Sequence, residues 1–170
     1  MNTVLLITVI CLLIPIYVYI GYPLVLFILV KTGNTKAIKK DDNHLPTVTL
    51  LVSCYNEVDV VHEKIANSLA IDYPKDKFEI IFISDGSDDG TDEAVKEYEK
   101  EGVTLIRQEG RLGKTSAINM AVPYASGEII VFSDANAMYK TGAIKKLVRN
   151  FADTEVGYVV GAAIYTDGGV

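Results

Sequence analysis

Four short polar clusters carry residue types from which a site for a charged ligand could be built. In Ser133-Asp134-Ala135-Asn136, Asp134 and Asn136 offer two oxygen ligands at i and i+2. A divalent cation that also bridges phosphates needs only one or two protein carboxylates. Gly110-Arg111-Leu112-Gly113-Lys114-Thr115 sets two cations, Arg111 and Lys114, near a predicted helix start. Both suit a diphosphate. The Gly-Lys-Thr ending imitates a P-loop, but that motif needs a glycine at position 108, which is Gln. Ser84–Thr91 is rich in acids and glycines and matches the first half of a calcium EF-hand loop. Its last ligand position is Lys96, where such a loop needs a bidentate Glu, so that reading fails. Asp85 is then a carboxylate able to accept from a base imide or a ribose hydroxyl, and Asp88 and Asp89 suit a helix start. The remaining cluster, Ser53-Cys54-Tyr55-Asn56-Glu57, suits either a loop against a planar base, with Glu57 near the ligand, or a plain helix start at Asn56. No Ser or Cys pairs with His and an acid as a nucleophilic triad would. His44 and His62 read as surface residues, and Cys54 has no partner cysteine for zinc.

Each cluster must be positioned by its neighbours in the chain, and all but the glycine-rich one directly end an apolar run. Short β-rich runs lie at Thr47–Ser53, Phe78–Ser84, Val103–Arg107, Glu128–Ser133 and Val156–Ala163. Continuous apolar runs of this length suit strands buried on both faces. Helical spacing separates them. Val61, Ile65 and Leu69 fall four apart; Ala94, Val95 and Tyr98 precede Gly102, a helix stop; residues 114–122 and 142–151 complete the alternation. Strands alternating with helices predict an α/β fold with a mainly parallel sheet. Ligands of such sheets bind beyond the carboxyl ends of the strands, where the polar clusters fall.

The chain has 170 residues, 49% of them hydrophobic, and a net charge of -6. That composition excludes a disordered chain, and two cysteines cannot make a disulfide framework. The charge is divided. Residues 1–40 hold four lysines (Lys31, Lys36, Lys39, Lys40) and no acid, while residues 41–170 hold all 22 acidic residues. The acidic balance argues against nucleic acid as a partner. Residues 1–30 carry no charge, and Val4–Val30 is almost wholly apolar, interrupted by Pro15, Gly21 and Pro23. About 20 such residues cross a bilayer. A cleaved signal peptide fits less well, because no basic residue precedes the run and the run is too long. We therefore expect a transmembrane anchor over 1–30, a basic juxtamembrane linker over 31–45 and a catalytic-type domain over 46–170. Lysines after the span place that domain in the cytoplasm, at the cell membrane.

Taken in order, VSCYNE at 52–57, FISDGSDDGT at 82–91, GRLGKTSAINMA at 110–121 and FSDANA at 132–137 resemble the family-2 glycosyltransferases of the GT-A fold. The resemblance covers roughly residues 46–165, and the membrane-anchored polysaccharide synthases look closest. It implies a GT-A-type nucleotide-binding sandwich that takes a nucleotide-sugar donor, UDP-sugar in the first instance, and a saccharide or lipid acceptor. Tyr55 and Glu57 would line the nucleotide pocket, Asp85 would bind the base, and Arg111 and Lys114 would lie on the diphosphate side. Asp134 opens the family's DxD motif, which meets the ribose and a Mg²⁺ or Mn²⁺ ion. The sequence departs at the motif's last position, where the neutral and weaker ligand Asn136 replaces Asp.

Such enzymes invert the anomeric carbon with a carboxylate base. In the family that base, and the acceptor-side QxxRW motif of processive members, lie further along the chain. Neither motif occurs here, and Asp153 and Asp167 stand in the wrong context to replace the base. The expectation is a donor-binding part that binds a uridine nucleotide and metal but turns over slowly or not at all. A non-catalytic, membrane-tethered nucleotide-binding or partner-binding module is the alternative. A nucleotidyltransferase would instead carry a glycine-rich basic loop after the first strand.

Overall fold

The computed structural model describes residues 2–33 and 37–164. Asn34 and Lys36 of the expected linker, and Asp167, lie outside the described residues. The chain divides into two compact units, Met1–Ile38 and Lys39–Val170.

In the first unit, α1 (Thr3–Ile16) and α2 (Tyr22–Thr32) are joined by a wider π turn over Tyr17–Gly21. The proline at position 23 has no N–H to continue the ladder. The wider turn carries the chain across that gap, with the Tyr22 N–H donating to the Tyr17 carbonyl five residues back. Pro15 stands inside α1, which continues past it. Thr3–Thr32 is thereby one helix of 30 residues with a mean hydropathy of 2.6 over an 18-residue window. By length and composition it can cross a membrane.

The second unit is built on four strands, β1 (Val48–Cys54), β2 (Phe78–Ser84), β3 (Val103–Arg107) and β4 (Ile129–Asp134). They form one parallel sheet in the order β3-β2-β1-β4. Helices α3 (Val58–Leu69), α4 (Thr91–Lys96), α5 (Lys114–Ala121) and α6 (Ala143–Val148) lie between and after them. The apolar runs are continuous because both faces are covered. Leu50, Val52, Ile80 and Phe82 pack with Val61 and Ile65 of α3, Val95 of α4 and Ile144 and Val148 of α6. On the opposite face Leu51, Ile81 and Ile83 pack with Ala117 and Ala121 of α5. Gly102 has φ 92° and ends the helical stretch before β3, as its position predicts.

The fifth expected strand does not form. Residues 156–164 are not paired with any strand, and Tyr158 and Val160 are 81% and 77% exposed. The run is interrupted by Gly157 and Gly161, which weaken a strand, and an apolar pattern yields a strand only beside a partner ladder. β4 is thus an edge of the described sheet.

Candidate functional site

β1 leads to β2 and β3 on one side, and the chain then crosses back to place β4 on the other side of β1. A crevice opens where strand order reverses, at the carboxyl ends. Register fixes what meets there. Cys54 pairs with Ser84, and Ser53 pairs with Asp134. The loops after three strands therefore start at one level.

A cleft of about 310 Å³ lies at that level. Tyr55, Glu57, Asp85, Lys114, Asp134 and Asn136 all line it. Six of the seven residues singled out by sequence are thus brought together. Arg111 does not line the cleft but lies over the Tyr55 ring, its guanidinium carbon 4.1 Å from the ring centre.

The acidic loop after β2 is mostly a bracket. Asp88 Oδ1 accepts from the Asn56 side-chain amide at 2.8 Å, and the Asn56 side-chain carbonyl oxygen accepts from the Asp88 N–H at 3.0 Å. Asp89 accepts from the Val58 N–H at the start of α3 and from the Thr91 N–H at the start of α4. Thr91 Oγ1 in turn accepts from the Glu57 N–H at 2.9 Å. These bonds hold Asn56 at φ 52° and fix the Tyr55–Glu57 loop. Gly86 (φ 73°) is where this loop meets the glycine-rich one. A Cβ there would stand 2.9 Å from the Gly110 carbonyl carbon and oxygen.

Asp85 is buried and shapes the glycine-rich loop. Its Oδ1 accepts from Gln108 Nε2 at 2.5 Å and the Leu112 N–H at 3.0 Å, and its Oδ2 accepts from the Gly113 N–H at 3.0 Å. A carboxylate has about four acceptor sites, so capacity remains on Oδ2. Lys114 opens α5 and forms an ion pair with Asp134 across the cleft. Ser53 Oγ also donates to Asp134 Oδ1, at 3.3 Å. Cys54 is buried beneath the loop. Burial, and then the nearby Asp92, Glu57 and Asp89 charges, push its thiol up to about 12, so it remains a neutral packing group.

Among the described residues, no three His, Cys, Asp or Glu side chains converge as metal ligands. The turn after β4 offers one carboxylate, Asp134, and one amide, Asn136, both exposed, while the cleft's other carboxylates, Glu57 and Asp85, stand on the loops after β1 and β2. The Asp134–Asn136 set fits a hard cation whose coordination is completed by phosphate oxygens and water, and does not fit an all-protein cage.

Three residues around the site were not singled out by sequence reasoning. Gln108, which ruled out the P-loop, links Asp85 to Ser116 Oγ. Lys64 and Asn67 on α3 hold the segment after β4. The signal for Lys64 was its position: it falls three residues after Val61 and beside Ile65, inside the apolar stripe of the helix.

A parallel sheet with a polar cleft at its switch point is the setting in which open α/β sheets bind their ligands. The comparisons with known proteins give the family. A family model, glycosyl transferase family 2, matches residues 49–170, and the chain belongs to that family. Over 129 residues it is 34% identical to a poly-β-1,6-N-acetyl-D-glucosamine synthase of Staphylococcus aureus, covering 72% of this chain and 31% of the relative. A β-monoglucosyldiacylglycerol synthase of Trichormus variabilis is 33% identical, covering 71% of this chain and 27% of the relative. The chain thus spans under a third of the length of these relatives. Among solved structures, a mannosyltransferase of Pyrobaculum calidifontis in complex with GDP-mannose and Mn²⁺ aligns at 32% identity and a TM-score of 0.73, covering 83% of this chain and 43% of that one. S. aureus TarS, at 24% identity, a TM-score of 0.56 and 59% of this chain, shares the fold.

Proposed function

We propose that this chain carries the donor site of a membrane-anchored, inverting glycosyltransferase that transfers a sugar from a nucleotide-sugar to a saccharide or lipid acceptor. The observation that carries the reading is the convergence of Tyr55, Glu57, Asp85, Lys114, Asp134 and Asn136 on one cleft. Tyr55 and Glu57 line the nucleotide side. Asp85 receives the base on its remaining acceptor capacity while holding the loop that presents Arg111 and Lys114. Lys114 takes the diphosphate by exchanging its ion pair with Asp134 for a phosphate oxygen, and Arg111 joins it by leaving the Tyr55 ring over which it lies. Asp134 and Asn136 would hold Mg²⁺ or Mn²⁺, which neutralises charge on the departing diphosphate.

The donor nucleotide is UDP in this reading, in line with the sequence resemblance. A second reading, GDP, is supported by the 32% identical mannosyltransferase solved with GDP-mannose and Mn²⁺. Calorimetric titration of the chain with UDP and with GDP, each with and without Mn²⁺, separates them. Tighter binding of UDP supports the first, and of GDP the second. Absence of binding by either nucleotide, with and without metal, overturns both and leaves a structural or partner-binding module.

The anchor belongs to the same proposal. Thr3–Thr32 spans the membrane, and Lys31, Lys36, Lys39 and Lys40 keep the donor-binding domain in the cytoplasm. The proposed boundary at 30/31 rests on the end of the uncharged run, and that at 45/46 on Pro46 and the β-rich run that follows it.

A further inference from the structure

Lys64 is fully buried, in the middle of α3 and beneath the turn that carries Asp134 and Asn136. A buried ammonium is costly unless its protons find acceptors. Here Nζ donates to Ser133 Oγ at 2.8 Å and to the Ala137 carbonyl, and it lies 4.6 Å from the centre of the Tyr139 ring. Its two acceptors bracket the Asp134–Asn136 segment, one on each side. The turn is closed from within by the Ala137 N–H, which donates to the Asp134 carbonyl at 3.2 Å. Ser133 Oγ passes the tie on by donating to the same carbonyl at 3.1 Å.

One helical turn along, Asn67 continues the clip. Its Nδ2 donates to the Tyr139 carbonyl at 2.8 Å, and its Oδ1 accepts from the Tyr139 N–H at 2.8 Å. Residues three apart share a helix face, so Lys64 and Asn67 together hold the chain from Ser133 to Tyr139. The start of α3 is itself fixed to the nucleotide side by Asp89 and Thr91. One helix thus joins the Tyr55–Glu57 loop to the Asp134–Asn136 turn.

We propose that Lys64 is a positioning residue that clips both ends of the Asp134–Asn136 turn and so presets the geometry in which this weak, one-carboxylate set takes a divalent cation with the donor diphosphate. The proposal rests on the donor-site reading above. Groups that orient metal ligands commonly change metal affinity by about 10–100-fold when removed. A turn with an amide in place of the second carboxylate depends on such preorganisation more than a two-carboxylate turn does. Burial pushes Lys64 down to about 8, while the Asp134 charge holds it up.

The test uses the full chain in detergent and three readouts: UDP affinity without metal, Mn²⁺ affinity in the presence of UDP followed by electron paramagnetic resonance, and Tm. Lys64→Met is expected to weaken Mn²⁺ binding about tenfold or more and to alter the bound Mn²⁺ spectrum. Metal-free UDP affinity is expected to stay within about twofold of the parent chain. Unchanged Mn²⁺ affinity in a folded Lys64→Met chain overturns the proposal. So does an equal loss of metal-free and metal-dependent affinity, which marks a merely structural lysine. If Lys64→Met does not fold, Ser133→Ala removes one end of the clip at little cost in volume. Several-fold weaker Mn²⁺ binding then supports the proposal, and unchanged binding overturns it. Failure of the parent chain to bind UDP or GDP with Mn²⁺ is a different result, and it removes the donor-site reading itself.

Discussion

Asp85 has two duties that mutation can separate. Its carboxylate accepts from Gln108 Nε2 and from the Leu112 and Gly113 amides, so it stabilises a loop as well as offering an acceptor to a base. Asp85→Ala leaves buried donors without partners, at a cost of about 1–3 kcal/mol each for those that water cannot reach. The expected result is a fall in Tm together with a loss of nucleotide binding; an unchanged Tm would contradict the loop-holding role. Lys114 is exposed and its pair with Asp134 contributes little to stability. Lys114→Met is therefore expected to leave Tm nearly unchanged and to weaken UDP binding about tenfold, the loss of one charge-assisted hydrogen bond. Asp89 supplies a pH prediction. Asp89 is exposed, and although some loss of hydration opposes its ionisation, hydrogen bonds from the Thr91 hydroxyl and from the Thr91 and Val58 amides outweigh that and hold its pKa below the usual carboxylate range. A lowered folded value means that the ionised group stabilises the fold above the unfolded pKa of about 3.9, and that this is lost as pH falls through the folded value. Melting curves at pH 2–6 should show a shallower acid decline for Asp89→Asn than for the parent chain. Parallel declines would remove Asp89 from the account.

At the scale of elements, the site depends on two loops approaching closely at Gly86. Its φ of 73° and the 2.9 Å approach to the Gly110 backbone leave no room for a side chain. Gly86→Ala is expected to destabilise the domain by about 1–3 kcal/mol and to weaken nucleotide binding, measured by chemical denaturation and titration; a neutral substitution would show that the loops do not need this contact. The four strands were legible in the sequence because local pattern determined them, whereas the Tyr55–Glu57 loop was picked out by the family resemblance. Continuous apolar runs mark doubly covered strands, and polar clusters at their carboxyl ends mark a site. The engagement of Asp88 and Asp89 by other loops was not legible, because Asn56 and Val58 lie some thirty residues away in the chain. Lys64 was hidden for the same reason: its partners Ser133 and Ala137 are brought to it only by the pairing of β1 with β4. The pattern at 156–163 misled because apolar alternation reports a tendency, while a strand also needs a ladder to join.

At the scale of the whole molecule, the net charge of -6 is the sum of four lysines without an acid in residues 1–40 and an acidic excess in residues 41–170. The proposed anchor predicts that the chain, expressed in a bacterium, stays with the membrane fraction through washes with high salt and alkaline carbonate and is released only by detergent. Release by carbonate would show peripheral attachment. The proposed cytoplasmic placement predicts that the domain is cleaved by protease in inverted vesicles and protected in sealed spheroplasts. The central claim is that the cleft at the switch point takes a nucleoside diphosphate together with a divalent cation held by Asp134. Its most direct test is calorimetric titration of the parent chain and of Asp134→Ala with UDP, with and without Mn²⁺. The account predicts that Mn²⁺ tightens UDP binding to the parent chain and has no such effect on Asp134→Ala. Equal enhancement by Mn²⁺ in both proteins would contradict it.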